Sequence, residues 1–230
     1  MKDTSRGVTD RAVRAGAAVY HPLLLHAYDP LVSVNCRFAW GCPRSEILAQ
    51  YRAAVGANHL EVGVGSGYLP ANTVFPGQEP RITLCDLNPN TLAHAARRLP
   101  DLSPRLVRAN ALEPLTQAGL GEGEFDSVAL NLLLHCVPGD FREKEAVLAN
   151  AAAVTRPGGT VQGSTLLSEG VPLAGKPVMA LFNTFGVFHN RQDRYADLKA
   201  VLDNNFDSYE LTVLGCAALF TATVPGSLPR

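Results

Sequence analysis

The stretch HLEVGVGSGYLP at 59–70 runs a short apolar segment straight into three glycines at alternate positions, Gly63, Gly65 and Gly67. Glycine reaches positive φ without a Cβ penalty and lets another molecule approach the main chain. A strand that ends in such a turn and feeds a helix presents backbone N–H groups to a ligand. Open α/β sheets use this device at their first strand, and no other feature of the chain narrows its fold as far.

Strand and helix patterns alternate around that loop. PRSEILAQYRAAVG at 43–56 sets Ile47, Leu48, Tyr51 and Val55 at helical spacing behind a starting proline. RITLCDL, RLVRAN, FDSVALNLLL and GTVQGSTLL read as the second to fifth strands. Pro70, Pro76 and Pro80 leave room for only a brief helix after the glycines. Asn88-Pro89 reads as an N-cap and first turn for NTLAHAARRL, and Asp140 with Glu143 as a capping box for FREKEAVLANAAAV. Arg156-Pro157-Gly158-Gly159 reads as a turn into the fifth strand.

MALFNTFGVFHN and DRYADLKAVLDNNF lie in a helical region, with Phe182, Phe185 and Phe188 at helical spacing; that suits a core stripe or an apolar pocket wall. The last strands, SYELTVLG and AALFTATV, are too close for a helical crossover and should pair antiparallel. The expected fold is therefore α/β, a doubly wound, seven-stranded, mostly parallel sheet with a C-terminal antiparallel pair. One domain is expected over 1–230, with 43–230 as its core and 1–42, rich in aromatic and histidine positions, as an N-terminal helical lid.

Composition excludes more than it selects. The formal net charge is −1 and there is no lysine or arginine run, which speaks against a nucleic-acid groove or an anionic membrane surface. The 5 cysteines form no C-x-x-C pair, so free thiols are expected rather than disulfides or a zinc site, and no metal is expected from the scattered histidines. No apolar segment approaches the roughly 20 residues of a membrane helix, and acidic residues, a histidine and a proline interrupt the N-terminal apolar run. A cytoplasmic protein is the plain expectation; its oligomeric state is left open.

The glycine spacing separates two ligand classes. The dinucleotide fingerprint G-x-G-x-x-G would need a third glycine at Tyr68. The loop instead reads E-x-G-x-G-x-G, and Glu61 suits an ammonium group better than a pyrophosphate. Glu61 alone also fits a buried acid satisfied by backbone. Asp86, ending the second strand, is placed to accept from ribose hydroxyls, which NAD and adenosyl ligands share.

On these residues the chain resembles the class I S-adenosylmethionine-dependent methyltransferases of the small-molecule type. EVGVGSGY matches their first motif, DLN at 86–88 the ribose-binding strand end, RANAL at 108–112 the adenine turn, FDSVALNLLLH the fourth strand and RPGGTVQGSTLL the start of the fifth. The resemblance covers about residues 43–224 and implies a Rossmann-like methyltransferase fold. It implies S-adenosylmethionine as cofactor, with Gly63, Gly65 and Gly67 packing against its methionine and ribose parts and Glu61 attracting its amino group. Asp86 would hold the ribose hydroxyls, and Leu87, Asn88, Asn110 and Ala111 would surround the adenine. Asn131 and Leu132 would lie along the methionine and sulfonium. Asn110 stands where the family often has aspartate, and its amide oxygen can serve the same contact.

Methyl transfer from a sulfonium needs alignment and exclusion of water, and a base only where the acceptor holds its proton tightly. The first candidate base is His135, at the end of the fourth strand, followed by His21 and His26 in the lid; His135 also fits a plain hydrogen-bonded turn residue. The lid and residues 168–192, aromatic and lightly charged, should set the substrate as a small, apolar or aromatic acceptor of O-, N- or C-methylation. Two other readings stand beside it: a nicotinamide-dependent oxidoreductase, and a methyltransferase-fold protein that binds the cofactor without transferring methyl.

Overall fold

The computed structural model describes residues 29–226. A lead helix over 29–34 continues into a π-helical turn, Asn35–Ala39. Residues 1–28 of the expected lid, with His21 and His26, lie outside the described residues.

The core elements follow in the expected order: α1 (Arg44–Ala54), β1 (Asn58–Val62), the single-turn α2 (Tyr68–Ala71), β2 (Arg81–Asp86), α3 (Pro89–Arg97), β3 (Arg105–Arg108) and β4 (Phe125–Asn131). Then come α4 (Phe141–Val154), β5 (Thr155–Leu166), α5 (Gly175–Thr184), α6 (Tyr195–Asn205), β6 (Ser208–Leu214) and β7 (Ala217–Thr223). The seven strands form one sheet in the order β3-β2-β1-β4-β5-β7-β6. The first five are parallel; β7 runs antiparallel to both β5 and β6.

Both faces are covered, as buried parallel strands require. Side chains alternate along each strand, so Leu60, Val62, Val128 and Leu130 meet Leu148 and Ala151 of α4 and Leu198 and Leu202 of α6 on one face. Tyr51 of α1 and Leu92 and Ala95 of α3 pack with Leu84 and Ala129 on the other. A third cluster joins Trp40 and Ile47 to Met179, Phe188 and Leu219, fastening the lead segment and α5 over the carboxyl ends of the strands.

Local signals placed the helix starts. Asn88 caps α3 by accepting from Asn90 N at 2.9 Å, with Pro89 in the first turn. Asp140 accepts from Arg142 N at 2.8 Å while Glu143 reaches back to Asp140 N at 2.9 Å, completing a capping box.

Two expectations are corrected. β5 begins at Thr155, and Arg156–Gly159 forms an irregularity inside its pairing with β4, between the registers Phe125↔Thr155 and Ser127↔Thr160. The phenylalanine stripe does not persist: α5 ends at Thr184 and Gly186 turns back at φ 67. Phe185 is consequently 71% exposed, while Phe188 folds under and is buried. Among the described residues no helix is long and apolar enough to cross a membrane.

Removing the Asp140 cap should be felt locally and add up globally. Asp140→Ala is expected to cost about 1 kcal/mol, read as a lower urea midpoint at unchanged slope. An unchanged midpoint would show that the cap carries no net stability.

Candidate active site

The strand order reverses between β1 and β4, so the connections leaving their carboxyl ends diverge and open a crevice. A cavity of about 170 Å³ occupies that position. Of the residues expected at a cofactor, Glu61, Gly63, Gly65, Asp86, Leu87, Asn110, Ala111, Asn131 and Leu132 line it. Gly67, Asn88 and His135 do not.

The three glycines are bare for different reasons. All have positive φ: 72° at Gly63, 54° at Gly65 and 73° at Gly67. A Cβ on Gly63 would fall 2.7 Å from Leu133 Cδ1, and one on Gly67 would fall 2.8 Å from Ala95 Cβ in α3. Those two glycines let the protein pack against itself. At Gly65 a Cβ would meet nothing within 4 Å, and this glycine is the one whose face is open to a ligand. Of the three glycines expected against a cofactor, Gly63 and Gly67 are thus bare for packing within the protein, and Gly65 alone presents an open face.

Glu61 is 2% exposed, yet borders the cavity. It is backed by side chains rather than backbone: His59 Nε2 lies 3.3 Å from its Oε2. The imidazole in turn meets the Tyr51 hydroxyl at 3.0 Å and Ser127 Oγ at 2.7 Å. Burial, and then the neighbouring Glu61, push the Tyr51 phenol well above its ordinary value, so it remains protonated. The network fixes the carboxylate's position from behind.

Asp86 accepts from Asn88 N at 2.8 Å and from the backbone of Val64 and Gly65, joining the second strand end to the glycine loop. Burial nevertheless pushes its carboxyl up to about 6, outweighing the backbone donors that act in the opposite sense. Asn110 is held by its own turn, its Oδ1 accepting from Leu112 N at 3.1 Å. Asn88, expected beside the adenine, caps α3 through its Oδ1 and does not line the cavity.

At the end of β4, Ser164 Oγ donates to Asn131 Oδ1 at 2.9 Å and accepts from Leu132 N at 3.2 Å. This arrangement leaves Asn131 Nδ2 buried without a partner. Leu132 follows at φ 53, a left-handed conformation that leucine seldom takes, and strain of this kind gathers at ligand sites. That turn carries His135 away from the cavity. Its ring is 4% exposed and stands edge-on to Phe188 at 4.6 Å between centroids. Burial, with Lys144 adding to it, takes the imidazole down to about 3, and Nδ1 has no partner. The expected orientation of His135 toward a methyl donor is corrected on these grounds.

Several lining residues were not foreseen. Arg44 is the one basic side chain among the described lining residues, and its guanidinium lies 3.6 Å from the centre of the Tyr68 ring. A cation in the first turn of a helix opposes the helix dipole, and that was the readable signal. Val32 and Val187 bring one residue each from the lid and from the segment after β5. The Val187 segment is anchored by a buried ion pair, Lys144 Nζ to Asp193 Oδ2 at 2.6 Å, with Lys144 also donating to His189 O at 3.0 Å.

Residues 60–161 match a family described as a methyltransferase domain. Demethylluteothin O-methyltransferase of Streptomyces thioluteus is 45% identical over 229 residues, covering 96% of this chain and 98% of its own length. The chain belongs to the class I S-adenosylmethionine-dependent methyltransferases.

A physcion biosynthesis cluster O-methyltransferase of Aspergillus chevalieri is 36% identical, over 91% of this chain and 95% of that one. Among solved structures, an S-adenosylmethionine-dependent methyltransferase from Thermotoga maritima superposes with a TM-score of 0.65 at 12% identity, covering 92% and 99% of the two chains. This methyltransferase therefore shares the fold of that structure.

The split among its glycines is testable without any ligand. Gly63→Ala and Gly65→Ala both force alanine to positive φ, at about 1 kcal/mol each, but only the first drives a methyl into Leu133. Chemical denaturation should show the larger loss for Gly63→Ala. Equal losses would contradict the packing role assigned to it.

Proposed function

We propose that this methyltransferase transfers the methyl of S-adenosylmethionine to a hydroxyl oxygen of a small, apolar or aromatic acceptor, and that the crevice described above holds the cofactor. The charge inventory of the cavity carries this reading. One guanidinium (Arg44) and two carboxylates (Glu61 and Asp86) line it. The cofactor has one carboxylate, one ammonium and a ribose diol, which these three groups complement. The open face of Gly65 and the unpartnered Asn131 Nδ2 support the fit.

In this reading Arg44 faces the carboxylate, Glu61 the ammonium and Asp86 the ribose hydroxyls. Leu87, Asn110 and Ala111 surround the adenine, while Asn131 and Leu132 lie toward the reacting end. When bound, the cofactor supplies a methyl carbon activated by its sulfonium. The chain's own contribution is to orient the acceptor and keep water out. Val32, Ile47, Leu69 and Val187 give the acceptor side an apolar wall, and Cys136, whose thiol burial pushes up to about 12, stays neutral there. The hydroxyl class of acceptor follows the two O-methyltransferases named above.

His135 supports Phe188 in this account and takes no proton from the acceptor. His135→Gln should keep kcat within about tenfold in a mass-spectrometric assay with phenolic or enolic acceptors, whereas loss of a general base costs roughly 10²–10⁴-fold. A loss on that larger scale in a stably folded variant would reinstate it as the base.

Asp86 gives a pH signature. Its ionised form accepts from the ribose, and its folded pKa is raised to about 6, so affinity should be level above neutrality and fall as the pH drops through about 6. Asp86→Asn should flatten that dependence and weaken binding by roughly 1.5–3 kcal/mol. Wild-type affinity in the variant would remove Asp86 from the site.

A further inference from the structure

Asp29, on the lead helix, sits where three separate elements meet. Its Oδ1 accepts from Ser66 Oγ of the glycine loop at 2.5 Å and from Arg44 Nη2 at 3.1 Å. Its Oδ2 accepts from Arg98 Nη1, at the end of α3, at 2.6 Å. The same Arg98 nitrogen donates to Ser66 O at 3.0 Å, and Arg44 Nη1 to Asp29 O at 3.3 Å. The Arg44 and Asp29 side chains are 10% and 23% exposed, so water screens this cluster only in part.

We propose that Asp29 is a positioning residue for cofactor binding, which sets the Arg44 guanidinium against the cavity and ties the glycine loop down through Ser66. The inference rests on the cofactor reading given above. Arg44 is held on one face by the Tyr68 ring and along an edge by Asp29. A guanidinium has five N–H donors in a rigid fork, so fixing two of them orients the others. The charges also leave a remainder: two guanidiniums, Arg44 and Arg98, share one carboxylate. Among these three side chains one positive charge is left over, beside the glycine loop. Burial alone would raise the Asp29 carboxyl, but the Ser66 hydroxyl and the two arginines outweigh it and hold it below its usual range, so it stays ionised.

Asp29 and Arg98 together hold the glycine loop at Ser66, the first through its Oγ and the second through its carbonyl oxygen. Ser66 is 2% exposed and lies between Gly65, open to the cavity, and Gly67, packed on α3. Loss of the Asp29 charge would release Ser66 and Arg44 together, loosening the loop and the cationic edge in one step.

The test uses the full chain, with Asp29→Asn and Asp29→Glu, and reads S-adenosylmethionine affinity by calorimetry alongside steady-state kinetics. Asp29→Asn should weaken the cofactor about tenfold or more in both Kd and KM, the scale of a charge-assisted hydrogen bond. kcat at saturating cofactor and the acceptor's KM should stay within about twofold, and Asp29→Glu should recover part of the loss. In an Arg44→Met background the same Asp29 substitution should cost less than in the unmodified chain, because the share carried by Arg44 is already lost and only the share through Ser66 remains. Ser66→Ala, which leaves the charges in place, should weaken the cofactor to a smaller extent. Unchanged affinity in Asp29→Asn, or full additivity with Arg44→Met, would overturn the inference. Failure of the unmodified chain to bind the cofactor would instead overturn the site reading and the inference with it.

Discussion

The parallel pairing of β1 with β4, Leu60 beside Val128 and Glu61 beside Ala129, is the contact on which the site depends. It is the place where strand order reverses, so the chain leaves the two neighbouring strands in diverging directions and cannot close the gap between them. The glycine loop leaves one side of that gap and the strained Leu132 turn the other. Leu133 then reaches back over Gly63, where a Cβ would fall 2.7 Å from its Cδ1. The crevice is therefore a product of topology, and the glycines are what permit its walls to approach.

Polar groups inside the crevice are costly in the ligand-free protein. Asp86 titrates at about 6, above the ordinary carboxyl range, so its contribution to stability is full only in acid and is lost as the pH rises through that value. Asn131 carries an amide nitrogen with no partner, and Leu132 a left-handed backbone. Each is unfavourable for folding and suited to a ligand with complementary groups. By contrast, the charges that hold the walls are satisfied within the protein. Lys144 and Asp193 are both 0% exposed and bind each other, and Glu61 is backed by His59.

The sheet was legible because its information is local. Short apolar strands, Asn88-Pro89 and Asp140 with Glu143 each fix a few neighbouring residues, and their structural outcomes needed no distant partner. The glycine loop, Glu61 and Asp86 were legible as cavity residues because strand ends in this topology point to one crevice. His135 was not: sequence locates it after β4, but the positive φ of Leu132 decides which way the turn carries it. The phenylalanine spacing misled because Gly186 ends the helical pattern, a signal present in the sequence but outweighed by periodicity. Arg44 and Asp29 meet only after the lead helix folds over the glycine loop, and nothing in their separation along the chain announces it.

A crevice that complements an adenosyl amino acid rather than a dinucleotide should discriminate between the two. Calorimetric titration of the purified chain with S-adenosylhomocysteine and, in parallel, NADH tests it most directly. Saturable one-to-one binding of S-adenosylhomocysteine and no heat from NADH are expected. Binding of NADH with S-adenosylhomocysteine silent would rule that complementarity out, and would mean that Glu61 and Arg44 serve some purpose other than the ammonium and carboxylate of a methionine.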